Sequence, residues 1–348
     1  MLPRLAVLVV FSVLPVLCGD WSPRLAAQYM DSRQKEWFVW PRALSSGSPC
    51  VSCHTGMTYL LARPVLRRAL GEDQPTSYET GLLDALRAKV AKKDAKELAK
   101  ATVAAGVAVE GVFSALFLAM RDAPGGALSA EGERAFEQLW STQLRDGKNQ
   151  GAWPWFSLKQ DPWEVPQSAF FGASLAALAV GTAPPVYRER PEVQERVSAL
   201  TRYLQGEQES QPLHNRLALV WASSKLPAAL PEPVRQSIIR QVLDKQQPDG
   251  GWTIESLGPW KPHPEAPVSD GSSNYATAMV AFMLQRSGVE RSHPGLVKAF
   301  TWLRSRQDPE GGYWAAESMN RRYEDPMPLR FMRDAATAFA SLALLEGR

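Results

Sequence analysis

The chain has 348 residues, enough for two average domains or one large repeat-built domain. Hydrophobic residues make up 45% and charged residues 22%, a globular balance that excludes disorder as the main state. Thirty-nine basic against 36 acidic side chains leave a net charge of +3, no electrostatic footprint for nucleic acid, and three cysteines are too few for a disulfide framework.

Residues 1–17 carry Arg4 and then an apolar run from Leu5 to Leu17, interrupted by Pro15. The run is shorter than the about 20 residues a membrane-spanning helix needs. A charged start with a short apolar core predicts a secretory signal over 1–20, hence an exported, for example periplasmic, protein with no transmembrane span after its removal. A retained anchor is the competing reading. Lipid attachment at Cys18 is disfavoured by the large Leu17 in front of it. Cleavage leaves Cys50 and Cys53 as the cysteines of the exported chain.

A first helix is predicted over 25–37 and a second over 53–70, with Pro64 expected to kink it. Between them stands Cys50-Val51-Ser52-Cys53-His54, a C-x-x-C-H motif. On a helix, positions i, i+3 and i+4 share one face, so both thiols and the imidazole would address one object. That pattern is the signature of c-type haem attachment. Its resemblance to c-type cytochromes implies one covalent haem c, thioether bonds at Cys50 and Cys53, His54 as proximal iron ligand, and a haem-attachment machinery as partner. Zinc and thiol–disulfide chemistry compete. Zinc would need two further, distant ligands, and the βαβ context of thioredoxin-like motifs is absent.

Further helices are predicted over 80–96 and 99–120, with Lys89, Lys92, Lys93, Lys96 and Lys100 as a solvated face or a dock for an acidic redox partner. From residue 129 a period appears: Leu-x-x-x-Gln at Leu139/Gln143, Leu204/Gln208, Leu243/Gln247 and Leu303/Gln307. Three of these precede Gly and an aromatic residue, at Gly151-Ala152-Trp153, Gly250-Gly251-Trp252 and Gly311-Gly312-Tyr313-Trp314. Ala-rich helices follow at 168–180, 213–224, 273–285 and 334–345, the last two sharing Ala-Thr-Ala. Their small side chains predict an inner layer, and each Gln is expected to satisfy loop groups and stack on its Trp.

Gln247–Trp252 and Gln307–Trp314 resemble the Gln–Trp repeats of squalene–hopene cyclases and protein prenyltransferases. The resemblance covers about 129–348 and implies an all-α fold, an (α/α) toroid. Counting the earlier pairs gives about six helical hairpins over 21–348. The alternative is a cytochrome c-like domain over 21–125, with Met120 as distal ligand, followed by a partial toroid over 126–348. The parent chemistries do not carry over. The chain has no Asp-x-Asp-Asp acid motif, and Asp270 and Asp334 are read as helix N-caps. No cysteine remains for a prenyltransferase zinc site. Trp153, Trp155 and Trp163 are candidates to line the rim, although repeat-turn packing explains most of them.

The long connections, 38–49, 145–166, 248–271 and 308–333, all run from outer to inner helices and would gather on one rim with the motif. That places His263, Met319, Met327 and Met332 as distal-ligand candidates, beside an open or water-bound iron. His293 falls on the wrong side, His214 across the ring, and Met57 too close to the motif. The expected role is electron transfer or haem redox chemistry with an unidentified redox partner. A haem enzyme acting on an apolar, isoprenoid-like molecule in the cavity, or a non-catalytic haem sensor, are the alternatives. No catalytic residue is assigned, and whether the protein is an enzyme stays open.

Overall fold

The computed structural model describes residues 21–45, 47–91, 104–260, 262–267 and 271–345. The signal segment with Cys18, Lys92, Lys93, Lys96, Lys100 and Asp270 lie outside them. The fold is all-α. Its helices are α1 (Pro23–Val39), α2 (Gly56–Leu70), α3 (Ser77–Ala91), α4 (Ala104–Asp122), α5 (Ala130–Ser141) and α6 (Ser168–Thr182). They continue with α7 (Pro185–Arg188), α8 (Pro191–Glu207), α9 (Leu213–Ser223), α10 (Glu232–Leu243), α11 (Asn274–Arg286), α12 (Pro294–Arg304) and α13 (Phe331–Leu345). A two-residue hairpin pairs β1 (Leu44–Ser45) with β2 (Ser48–Pro49). No described helix is long and apolar enough to cross a membrane.

Local chemistry sets the ends. Ser22, Ser129 and Ser273 accept amide hydrogen bonds as N-caps of α1, α5 and α11, and His293 does so for α12 ahead of Pro294. Gly71 closes α2 in the left-handed conformation. Pro64 lies inside α2 without ending it.

The helices alternate in character. In α8 the buried positions are Val193, Val197, Leu200, Tyr203 and Leu204, one stripe of an amphipathic helix. By contrast, α6 is buried at every position from Ser168 to Val180, and α13 at every position but Arg333. Small side chains let such helices approach closely. α4 packs on α6, α6 on α9, α9 on α11, α11 on α13, and α13 on α2. The amphipathic helices lie against this series: α3 on α2 and α4, α5 on α4, α8 on α6, α10 on α9, α12 on α11 and α13, and α1 on α2 and α13.

The Gln–Trp turns stitch neighbouring repeats together. The Gln143 amide donates to the carbonyls of Gly151 and Arg196, the latter in α8. Gln307 donates to Gly312 and Ser22 and accepts the Ser22 amide at 2.6 Å, so the last turn grips the cap of the first helix. In the third turn Gln246, not the expected Gln247, bonds the carbonyls of Gly250 and Gly295, while Gln247 reaches back to Lys245. The indoles show why. Trp153, Trp252 and Trp314 donate to Leu139, Val242 and Leu303, each four residues before the working glutamine. The motif therefore reads Val242-x-x-x-Gln246 there, one residue earlier than sequence matching placed it. The shared Ala-Thr-Ala has a purpose too: Thr277 and Thr337 hydroxyls accept the amides of Trp252 and Trp314. At Gly312, with φ +72°, a Cβ would come within 2.4 Å of the Leu25 backbone in α1, so only glycine permits this approach.

Candidate functional site

The C-x-x-C-H motif occupies a turn over 50–55 that precedes α2, rather than the helix itself. The reason is local. The Ser52 hydroxyl accepts the amides of Thr55 and Gly56, both at 3.1 Å, and its carbonyl accepts the Met57 amide at 2.8 Å, so a capping turn forms before the first helical residue. The β1–β2 hairpin delivers Cys50, whose amide bonds the Ala43 carbonyl and whose carbonyl accepts the Trp37 indole at 2.8 Å. Gln34 of α1 donates to the Thr55 carbonyl. Hairpin, first helix and second helix together hold the turn.

Cys50, Cys53 and His54 all line one cavity of about 420 Å³, within the roughly 300–1,000 Å³ range of small-molecule and cofactor sites. Trp37, Trp40, Phe156 and Phe331 supply apolar walls, and Arg42 and Glu164 are among its charged groups. Most of the lining comes from long connections and helix starts, as the loop lengths imply. Asn320 clasps the Asp161 backbone in both directions, joining two of those long loops.

Both thiols are free. Burial pushes the Cys50 thiol up to about 11 and the Cys53 thiol well above its ordinary value, so neither is a reactive thiolate near neutral pH. Burial, with Arg33 adding to it, lowers His54 to about 3, which keeps the imidazole neutral. Its ring stacks on Phe331 with centroids 3.6 Å apart and faces Trp163 and Trp37 at 5.7 and 5.8 Å.

Behind the imidazole lies a buried polar cluster. His54 Nδ1 is 2.9 Å from Thr55 Oγ1, and that hydroxyl is 2.8 Å from Asp334 Oδ2. Asp334 also accepts from Tyr29 Oη and from Arg33 Nε, both at 2.8 Å, and from Arg33 Nη2 at 3.1 Å. The expectation that Asp334 caps a helix is therefore corrected. It sits in the first turn of α13, 5% exposed, as the acceptor for side chains from α1 and the motif turn. Sequence spacing could not join residues some 300 positions apart.

Compared with known proteins, the chain matches no family model and no curated protein.

The distal-ligand candidates do not meet in the motif's cavity. His263 and Met332 line a second cavity, with Met319, whose carbonyl accepts the His263 amide. Met327 is held with its sulfur 3.0 Å from Arg33 Nη2. His214 is bonded to Tyr275 and Asn215 in the core, His293 caps α12, Met57 is buried, and Met120 lines a cavity formed with α2 and α9 residues. Lys89 is not on a solvated face. It is 6% exposed and paired with Glu110 at 2.9 Å. Trp153 packs in its repeat turn, whereas Trp163 packs between His54 and Tyr275. Among the described residues no three His, Cys, Asp or Glu side chains gather to hold a bare metal ion.

Sequence reasoning missed Glu164. It lines the motif's cavity, 9% exposed, and burial raises its carboxyl to about 7. Its only signal was a position beside Trp163 in a long loop. Because the folded state holds this proton above the ordinary carboxylate range, stability is fully present below about pH 4.5 and is lost as pH rises through 7. Glu164→Gln is expected to remove that loss, gaining on the order of 3 kcal/mol at pH 8 and little at pH 4.5. Urea melts of both proteins at the two pH values check it, and equal gains at both would refute the raised carboxyl.

Proposed function

We propose that this chain is an exported c-type haem protein built on a ring of six helical hairpins, working in electron transfer or haem redox chemistry. The observation that carries the reading is the opening of Cys50, Cys53 and His54 onto one aromatic-walled cavity. The residues fit the group. Nδ1 of His54 is engaged by Thr55, and among the described residues Nε2 makes no hydrogen bond, so one nitrogen remains for iron. Cys50 and Cys53 would form the two thioether bonds. A porphyrin brings its own four nitrogens, so a single protein imidazole suffices where a zinc site would need more.

When bound, haem supplies one-electron exchange at iron. The chain's residues would exclude water through Trp37, Trp40, Phe156 and Phe331 and place the Arg42 cation in the cavity wall. Cys53 is 1% exposed, so attachment has to precede closure of the fold, which calls for a dedicated attachment machinery in the exported compartment.

The ring rests on the packing series from α4 to α2, on α3 between its ends, and on Gln307 gripping Ser22. A ring with Gln–Trp turns is the architecture that the likeness to cyclases and prenyltransferases implies. The continuous buried cluster from Trp21 to Leu345 favours one body over a separate cytochrome-like domain. Glu164 supports a second reading, a haem enzyme that uses a protonated carboxyl beside the bound group to deliver a proton to an apolar substrate.

Expression in a host able to attach haem c, followed by intact mass, tests the proposal. A gain of one haem mass that Cys50→Ala with Cys53→Ala abolishes is expected. A colourless wild-type protein of unchanged mass would overturn it. Spectra then separate the roles: six-coordinate low-spin iron supports electron transfer, and high-spin iron that binds carbon monoxide supports the enzyme.

A further inference from the structure

The geometry points to Thr55 and Asp334 as positioning residues that place the His54 proton on Nδ1 and leave the Nε2 lone pair for the cavity. The role rests on the haem reading; the hydrogen-bond pattern does not.

The direction of each bond follows from counting protons. Asp334 receives two bonds from Arg33 and one from Tyr29, the environment of an ionised carboxylate, which can only accept. The single hydroxyl proton of Thr55 must therefore go to Asp334 Oδ2 at 2.8 Å. Thr55 Oγ1 then has only lone pairs to offer His54, and the 2.9 Å contact requires a proton on Nδ1. If Thr55 donated to His54 instead, two acceptors would face each other at 2.8 Å. Ser52 Oγ is also near Nδ1, but at 3.4 Å, and its lone pairs already take two amides.

The placement of Thr55 supports a dedicated role. It is the N-cap residue of α2, where a threonine hydroxyl ordinarily accepts an amide of the first turn. Here it makes no capping bond. Ser52 does the capping, and the Thr55 hydroxyl is left to link an imidazole from the motif to a carboxylate from α13. Iron-bound imidazoles are oriented and made more basic by a partner on the other ring nitrogen. A hydroxyl polarised by a carboxylate supplies that partner, and Arg33 moderates its charge.

Two measurements test this separately from haem attachment. In the full chain produced without attachment, long-range ¹H–¹⁵N spectra of labelled histidine should show His54 as the Nδ1–H tautomer, with assignment by His54→Gln. Thr55→Val should lose that pattern and Thr55→Ser should keep it. In the haem-loaded protein, Thr55→Val should shift the midpoint potential positively, because a less basic imidazole stabilises ferric iron less, and Thr55→Ser should return it toward wild type. An Nε2–H tautomer in the wild type, or a Thr55→Val chain that melts lower yet keeps both the tautomer and the potential, would overturn the assignment. A wild-type chain that shows the Nδ1–H pattern yet takes up no haem in a host able to attach it would sink the haem reading and leave the network standing.

Discussion

Asp334→Ala is expected to destabilise the protein by about 3–5 kcal/mol, the cost of leaving a buried charge without its partner. Arg33 is 2% exposed and gives two of its nitrogens to Asp334. Burial works against its charge, yet Asp334, Tyr29 and Glu36 hold the guanidinium above its ordinary value. With the carboxylate gone, Arg33 keeps, among the described residues, Glu36, a half-exposed partner at the edge of the cluster, and the Met327 sulfur. Tyr29 and Thr55 lose their acceptor at the same time. Urea denaturation of Asp334→Ala and of Asp334→Asn separates charge from shape. Asparagine keeps an oxygen acceptor and should cost less. An alanine variant within 1 kcal/mol of wild type would mean that water or a rearranged Glu36 replaces the carboxylate.

Trp314→Ala should cost a similar amount, about 3–5 kcal/mol, by opening a large cavity in the core. Trp314 is fully buried, packs against Trp21 with ring centroids 5.7 Å apart, and donates to Leu303. It also sits at the only described turn that joins the last repeat to the first helix, beside Gln307 and Ser22. Trp252→Ala removes an equally buried indole from an internal turn. If the proposed ring closes through Gln307, the Trp314 variant should additionally expose the chain near residue 22 to protease, and the Trp252 variant should not. Equal protection in both would count against closure at that seam.

Much of the helical plan was legible in the residues. Periodic apolar positions and Ala-rich runs mark helices wherever they occur, because amphipathic and fully buried helices need those compositions in any arrangement. The pair at 25–37 with 53–70 corresponds to α1 with α2, and within the described residues the pair at 80–96 with 99–120 corresponds to α3 with α4, positions 92–96 and 99–103 lying outside them. Boundaries suffered where side chains compete for backbone groups. Ser52 ends the motif's chance of being helical, and that outcome depends on one hydroxyl meeting two amides. The Gln247 misassignment has a similar origin. Adjacent glutamines are indistinguishable by spacing until the Trp252 indole selects Val242 and so the register.

From the chain of letters come the all-α class, the alternation of amphipathic and small-residue helices, and the one motif whose chemistry is worth testing. These are consequences of local pattern, and local pattern is written in order along the polypeptide. The buried cluster of Tyr29, Arg33, Thr55 and Asp334, the raised carboxyl of Glu164, and the absence of His263, Met327 and Met332 from the described lining of the motif's cavity emerged only with the packing. Each depends on which distant segments share a low-dielectric space, and burial, charge pairing and cavity walls have no meaning until helices from opposite ends of the chain have met.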